Sequence, residues 1–306
     1  MNTIKDFSDD SLLSLDDIVM GALELFEITD MKRLDISDFK RPLIAGSGNA
    51  IVTAKIIFGG IDAIFCDETN FEESINKDVD GLVILSASGE KHAIVFAKKA
   101  IEKGIKAKLL TCSKNSTASK IIGEENTIVT AKNREPYTYN TSTYMGWVIA
   151  YTGENPSIIK KYIQEYIDPI LNKTDFSKYD SYLLVTPDKF AGVNQLFIVK
   201  FIELFGRKIA RDVFSYEQMK HATTVVPHSK ELSITFGKGE LECLYGELLN
   251  FPLPENCSLA GIMAIGYYVI GRIQNSYPQY FKENIKTYIE NLNKYEFGKG
   301  LNIIVE

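Results

Sequence analysis

Histidine is scarce. His92, His221 and His228 are the only three in 306 residues, too few and too dispersed for a histidine-rich metal centre, and no metal is expected. Cysteine is hardly commoner: Cys66, Cys112, Cys243 and Cys257 stand singly, mostly in apolar surroundings, with no Cys-x-x-Cys pair. The pattern fits reduced thiols in or near the core rather than a disulfide framework. Positive charge is also in short supply. Against 40 Asp and Glu there are 34 Lys and Arg, giving a net charge of -6 and a pI near 5.3, and no dense basic stripe, which speaks against a nucleic-acid surface. An anionic substrate would therefore depend on local positive charge or on helix N-termini. No stretch approaches a membrane span, and the opening MNTIKDFSDDSLLSLDD carries acids where a signal peptide needs a basic and then an apolar run. A cytoplasmic protein is expected. Low-complexity tracts and short-period repeats are absent as well.

What is present is apolar sequence arranged for packing. A hydrophobic content of 45% over this length is enough for two α/β domains. Residues 11–28, SLLSLDDIVMGALELFEI, read as a leading helix with serine and paired aspartates at its start. From Asp38 onward strands and helices alternate: PLIAG, a helix through NAIVTAKIIFGG, IDAIFC, GLVIL, a second helix, KAKLLTC and NTIVTA. Such alternation predicts a parallel sheet with helices on both faces, and the loops GSGN, SASGE and SKNST then line one crevice at the carboxyl ends of its strands. The unit from Gly81 to Lys103 is the clearest. Leu82–Leu85 is an unbroken apolar run, Ser86-Ala87-Ser88-Gly89-Glu90 turns, and Ala93, Ile94, Ala97, Ala100 and Ile101 recur at helical spacing before Gly104. A strand, a hydroxyl-rich turn and a helix N-terminus can hold a phosphate, or the turn is simply capped by its two serines. Residues 134–153 run from a loop into a helix.

A second α/β pattern follows. The expected domains are an N-terminal helical segment over 1–37, a first domain over 38–174 and a second over 175–306. SYLLVT is a strand and AGVNQLFIVKFIELFG a helix; TTVV and LSITF are short strands; GELECLYGELL, SLAGIMAIGYYVIGRIQ and YFKENIKTYIENLN are helices. No glycine-serine loop follows SYLLVT, so one phosphate site per chain is expected. In the run 196–205 only Lys200 and Glu203 interrupt the apolar side chains, and three apart they share a face. A helix apolar all round is usually buried, and burial raises a glutamate towards the range useful for proton transfer. The pair either serves that chemistry or ties two layers together.

The SASGE turn resembles the S-x-S-G-E/N-T signature of the sugar isomerase (SIS) domain family. LIAGSGNA at Leu43–Ala50 is similar to that family's first strand and loop, TCSKNSTASKI at Thr111–Ile121 to its third strand and turn, and residues 134–153 to the segment that closes over the sugar. The resemblance implies two SIS-type three-layer αβα domains with parallel sheets, in tandem, as in phosphoglucose/phosphomannose isomerases and the isomerase domain of glucosamine-6-phosphate synthase. It also implies a phosphosugar site of Gly46, Ser47, Gly48, Ser86, Ala87, Ser88, Glu90, Lys91, Asn140, Thr141 and Lys299, with Ser113, Asn115, Ser116, Thr117, Glu135, Ser142 and Thr143 nearby. The K-x-x-E of Lys200–Glu203 followed by SYEQMKH at 215–221 resembles the family's catalytic segment. Carried over, Glu203 is the base that moves a proton between sugar carbons, His221 opens the ring from the partner subunit of a homodimer, and Lys200, Glu217 and Lys220 support them. Three departures stand out: Lys91 replaces the family's threonine, Ala222-Thr223 its Gly-Pro, and Ile303 its tail lysine, with Lys299 four residues earlier as the remaining amine. The implied activity is aldose-ketose interconversion of a hexose 6-phosphate through an enediol, without metal or organic cofactor. The alternatives are an aminosugar-phosphate deaminase or deglycase acting on an aminohexose phosphate, and a non-catalytic phosphosugar sensor.

Overall fold

A computed structural model describes residues 4, 6–222, 228–237, 246–277, 279–295 and 298–305. The chain forms two compact units. One comprises Ile28–Lys132 with Asn140–Gly153; the other comprises the chain up to Glu27, Asn133–Tyr139 and everything from Glu154 on. Helix α1 (Leu15–Glu27) opens the second of these.

The Ile28 unit is built on β1 (Pro42–Gly46), α2 (Asn49–Phe58), β2 (Ile64–Cys66), α3 (Phe71–Ser74), β3 (Gly81–Leu85), α4 (His92–Lys103), β4 (Ala107–Thr111), α5 (Thr117–Ile122) and β5 (Thr127–Val129). Its sheet is parallel throughout, in the order β2-β1-β3-β4-β5. The unbroken apolar strands explain this, because a strand covered on both sides needs apolar residues at every position. Leu43, Ala45, Leu82, Ile84 and Leu109 pack with Phe71, Phe96, Ala97, Ala100 and Ala118 of α3, α4 and α5. The alternate residues Ile44, Val83 and Leu110 point to the other face and are equally buried.

Strand β6 (Glu135–Pro136) belongs to the other unit, and α6 (Thr141–Thr152) returns to the Ile28 unit, where it packs on α2. The second unit continues with α7 (Pro156–Tyr162), which passes through a π turn at Ile163–Ile167 into α8 (Asp168–Leu171). After these come β7 (Ser181–Thr186), α9 (Asn194–Phe205), β8 (Ala210–Ser215), α10 (Tyr216–Ala222), β9 (Glu231–Phe236), β10 (Glu247–Phe251), α11 (Leu259–Gln274), α12 (Tyr280–Leu292) and β11 (Ile304–Val305). The sheet order β10-β9-β7-β8 is again parallel, and β11 pairs antiparallel with β6. Each sheet thus sets its first strand between its second and third.

Several expectations change. The helix expected over residues 239–249 is corrected at its end, since Glu247–Phe251 is a strand; residues 238–245 lie outside the described ones, as does the strand expected over 223–226. Strand β8 was not expected at all. Helix α9 is buried along most of its surface, but Ile202 is 45% exposed, so it is not covered all round.

Candidate active site

In the Ile28 unit the strand order reverses between β1 and β3, the place where open parallel sheets form a ligand crevice beyond their carboxyl ends. Gly46 and Leu85 are register partners, so Ser47 and Ser86 leave the sheet side by side. A Cβ on Gly46 would lie 3.1 Å from the Leu85 carbonyl oxygen, too close for a relaxed side chain. Ser47 Oγ is buried without a hydrogen-bond partner among the described residues. The residues preceding α2 and α4 share one unusual backbone conformation: Gly48 has φ 55° and ψ -126°, Lys91 φ 51° and ψ -117°. Neither helix has a side-chain cap; at their starts Ala50 N donates to the Ser47 carbonyl, and Ala93 and Ile94 N to the Glu90 and Lys91 carbonyls, each at 3.1 Å. Two uncapped helix starts with an orphaned hydroxyl suit an anion.

The SASGE turn holds itself together. Ser86 Oγ accepts from Gly89 N at 3.1 Å and Ser88 Oγ from Glu90 N at 3.3 Å, which leaves both hydroxyl protons to donate. Ala87 gives its carbonyl to Cys112 N at 3.0 Å and Thr111 Oγ1 at 3.1 Å. Gly89, at φ 66°, is required by close approach, since a Cβ would sit 2.3 Å from Ser116 Oγ. Glu90 turns away to accept from Thr117 N at 2.8 Å, and Ser116 caps α5 through Ser119 N. Glu90, together with the Gly89 carbonyl that accepts from Ala118 N at 3.0 Å, therefore fixes the loop after β4 to the loop after β3. Lys91, His92 and Ser88 are exposed. Asn140, in the left-handed region at φ 44°, precedes α6 without capping it, and Thr141, Ser142 and Thr143 are buried.

In the other unit Lys200 and Glu203 do meet. Lys200 is fully buried, and its ammonium donates to Glu203 Oε2 at 2.6 Å, to the Tyr139 carbonyl at 2.6 Å and to the Thr138 carbonyl at 2.9 Å. All three ammonium protons are used, so Lys200 positions Glu203 rather than donating elsewhere. The Glu203 side chain is 20% exposed, enough to reach solvent along one edge. Burial raises its pKa above the ordinary carboxylate range, and the Lys200 charge and hydrogen bond oppose this. Tyr137, Thr138 and Tyr139 form the turn that receives Lys200. Tyr137 N donates to the Ile303 carbonyl at 2.7 Å, and β11 extends that contact along β6, so the tail is seated against this turn. Burial raises the Tyr137 hydroxyl, with Tyr288 and then Glu203 adding to the shift. The sequence reading did not find Tyr137, Thr138 or the Tyr139 carbonyl, because a main-chain acceptor leaves no trace in residue type.

The remaining candidates sit on other elements than this pair. His221 is exposed on α10, where Lys220 and Glu217 pair with each other at 2.6 Å and Glu217 N donates to Asp188. Lys299 is exposed just before the tail strand, and Glu135 is buried in β6. Among the described residues no three His, Cys, Asp or Glu side chains converge as a metal site, and no helix is long and apolar enough to cross a membrane.

No family model matches this chain, and no curated protein matches it in sequence. Solved structures match it in fold. The C-terminal domain of glucosamine-fructose-6-phosphate aminotransferase from Francisella tularensis aligns at a TM-score of 0.62, covering 97% of this chain and 99% of its own at 11% identity. Tagatose-6-phosphate ketose/aldose isomerase from Escherichia coli gives 0.60, covering 86% and 92% at 11% identity. Glucosamine-6-phosphate deaminase from Thermotoga maritima gives 0.56, covering 86% and 92% at 14% identity. At these identities the likeness is one of fold.

Proposed function

We propose that this protein is a phosphosugar isomerase that interconverts an aldose and a ketose hexose 6-phosphate through an enediol. The observation that carries the reading is the Lys200–Glu203 pair: a carboxylate held in place by a fully buried ammonium, partly open to solvent, with its pKa raised by burial. A base must be ionised to take a proton yet basic enough to want one, and burial moves this glutamate in the direction of greater basicity. Glu203 removes the proton from the carbon beside the carbonyl and returns it to the neighbouring carbon. Ser47, Ser86, Ser88 and Lys91 hold the phosphate at the β1 and β3 crevice, supported by the orphaned Ser47 hydroxyl and the two uncapped helix starts. The reading gains from fold neighbours whose own names specify hexose phosphates. The equal strand order of the two sheets supports the tandem arrangement.

We further take the protein to be a cytoplasmic homodimer in which His221, exposed on α10, opens the sugar ring in the partner's site, and take metal and organic cofactor to be unnecessary because enediol chemistry needs a base, a ring opener and polarised oxygens. A second reading, a phosphosugar-binding sensor without turnover, is favoured by the tail. Its register gives position 303 an apolar side chain, where an amine would be needed to attack a sugar carbonyl. Proton exchange separates the readings. The protein is incubated in deuterated water with hexose and aminohexose 6-phosphates, and the hydrogen on carbon two is followed by NMR. Loss of that signal with an aldose or ketose product supports the isomerase, ammonia release identifies a deaminase, and thermal protection without exchange identifies the sensor.

A further inference from the structure

Thr138 carries two separate costs. Its φ is 75°, a left-handed conformation that is a genuine outlier for a β-branched side chain and that glycine would adopt without strain. Its Oγ1 is also buried with no hydrogen-bond partner among the described residues, although a hydroxyl can both donate and accept. The turn needs only the Thr138 carbonyl, which holds Lys200 at 2.9 Å. Nothing in that role requires a hydroxyl. The same Lys200 nitrogen is 2.6 Å from Glu203 Oε2, so the orphaned hydroxyl sits on a residue one hydrogen bond removed from the base's own anchor. Tyr137 before it is pinned to the tail through the Ile303 carbonyl, and Lys200 ties down Tyr139 after it, so the turn is held in its strained form from both sides. A strained backbone and an unmet hydroxyl in one turn beside a buried acid-base pair are what a ligand contact leaves behind when its partner comes from outside the protein.

We infer that the Thr138 hydroxyl recognises a hydroxyl group of the sugar on which Glu203 acts. This rests on the phosphosugar reading of the same site. Thr138 then selects a polyhydroxylated ligand over one lacking that single oxygen, since a buried hydroxyl left unpaired penalises the deoxy compound. Thr138 is thus a specificity residue, while Lys200 positions.

The test couples the side chain to the ligand. Binding of hexose 6-phosphates and of their monodeoxy analogues is measured by calorimetry for the parent, Thr138→Val and Thr138→Ser. In the parent, removal of one ring hydroxyl should weaken binding about tenfold, the size of one hydrogen bond. In Thr138→Val that discrimination should fall to within about twofold at the same position, and Thr138→Ser, which keeps the hydroxyl, should retain it. Equal discrimination by the parent and Thr138→Val at every position would overturn the inference while leaving the phosphosugar reading intact. Absence of hexose phosphate binding by the parent would overturn that reading and this inference with it. Circular dichroism of each variant shows that it is folded, and Thr138→Gly, free of the backbone strain, replaces Thr138→Val if the latter does not fold.

Discussion

On the proposed reading, Glu203 is the base. Glu203→Gln keeps the shape and a Lys200 acceptor but cannot take a proton, so turnover should vanish while phosphosugar binding stays close to the parent's. Exchange of the carbon-two hydrogen checks the first and calorimetry the second; undiminished exchange would remove Glu203 as the base. Because the base acts ionised and its pKa is raised, activity should fall as pH drops through a value above the ordinary carboxylate range, on the acid limb of the rate profile. Lys91 illustrates a different trade. Its left-handed backbone costs about 1–3 kcal/mol, so Lys91→Gly should raise the urea midpoint. If the lysine charge serves the phosphate, the same variant should bind hexose 6-phosphate more weakly, and unchanged binding would show that only the backbone matters. Ser88→Ala should weaken phosphosugar binding by on the order of 1–3 kcal/mol.

Two helices reveal how elements are held. Helix α11 begins with its N-H groups turned onto Glu154: Oε1 accepts from Ser258 N at 2.8 Å and Gly261 N at 3.1 Å, and Oε2 from Ala260 N at 2.8 Å. A carboxylate there satisfies the free donors and the positive end of the helix together. Helix α1 packs on α11 with Asp16 buried at its start. Burial pushes the Asp16 pKa up to about 6 from 3.8, Asp17 adds to this, and Arg272 and Asn275 oppose it. The folded protein therefore takes up this proton before the unfolded chain does. Asp16 adds stability that is fully present below pH 3.8 and is lost as pH rises through about 6, so its share of the folding free energy declines across that window. Urea titrations between these limits should show Asp16→Asn removing a downward slope that the parent has; identical pH dependence would mean that Asp16 ionises freely.

The whole molecule repeats one winding, with each parallel sheet placing its first strand between its second and third. The repetition does not extend to the chemistry, because Ser47-Gly48 follows β1 whereas Pro187-Asp188 follows β7. If His221 serves the partner's site, two separately inactive proteins, Glu203→Gln and His221→Ala, should regain activity when mixed and allowed to exchange subunits. Random pairing leaves about a quarter of the sites intact, and that share of parental activity is the expected recovery. No recovery, with exchange verified by mass, would place His221 in its own chain's site.

The alternation of apolar strands with amphipathic helices determined the α/β fold from sequence alone, because a doubly covered strand must be apolar at every position. Lys200 and Glu203 were equally legible, being the two charges in an apolar helix three residues apart. Besides the two-residue strands β6 and β11, the strands that escaped notice, β8 and β10, are the edges of the four-stranded sheet; half-exposed, they carry charges such as Arg211, Asp212 and Glu247 that mask the strand pattern. Only tertiary structure decided that Lys200 is spent on the carbonyls of Thr138 and Tyr139, some sixty residues earlier in the chain, and that Thr138 is held at a positive φ with its hydroxyl unmet. Main-chain acceptors and backbone dihedrals are set by what the rest of the fold presses against them, and residue type alone does not encode that.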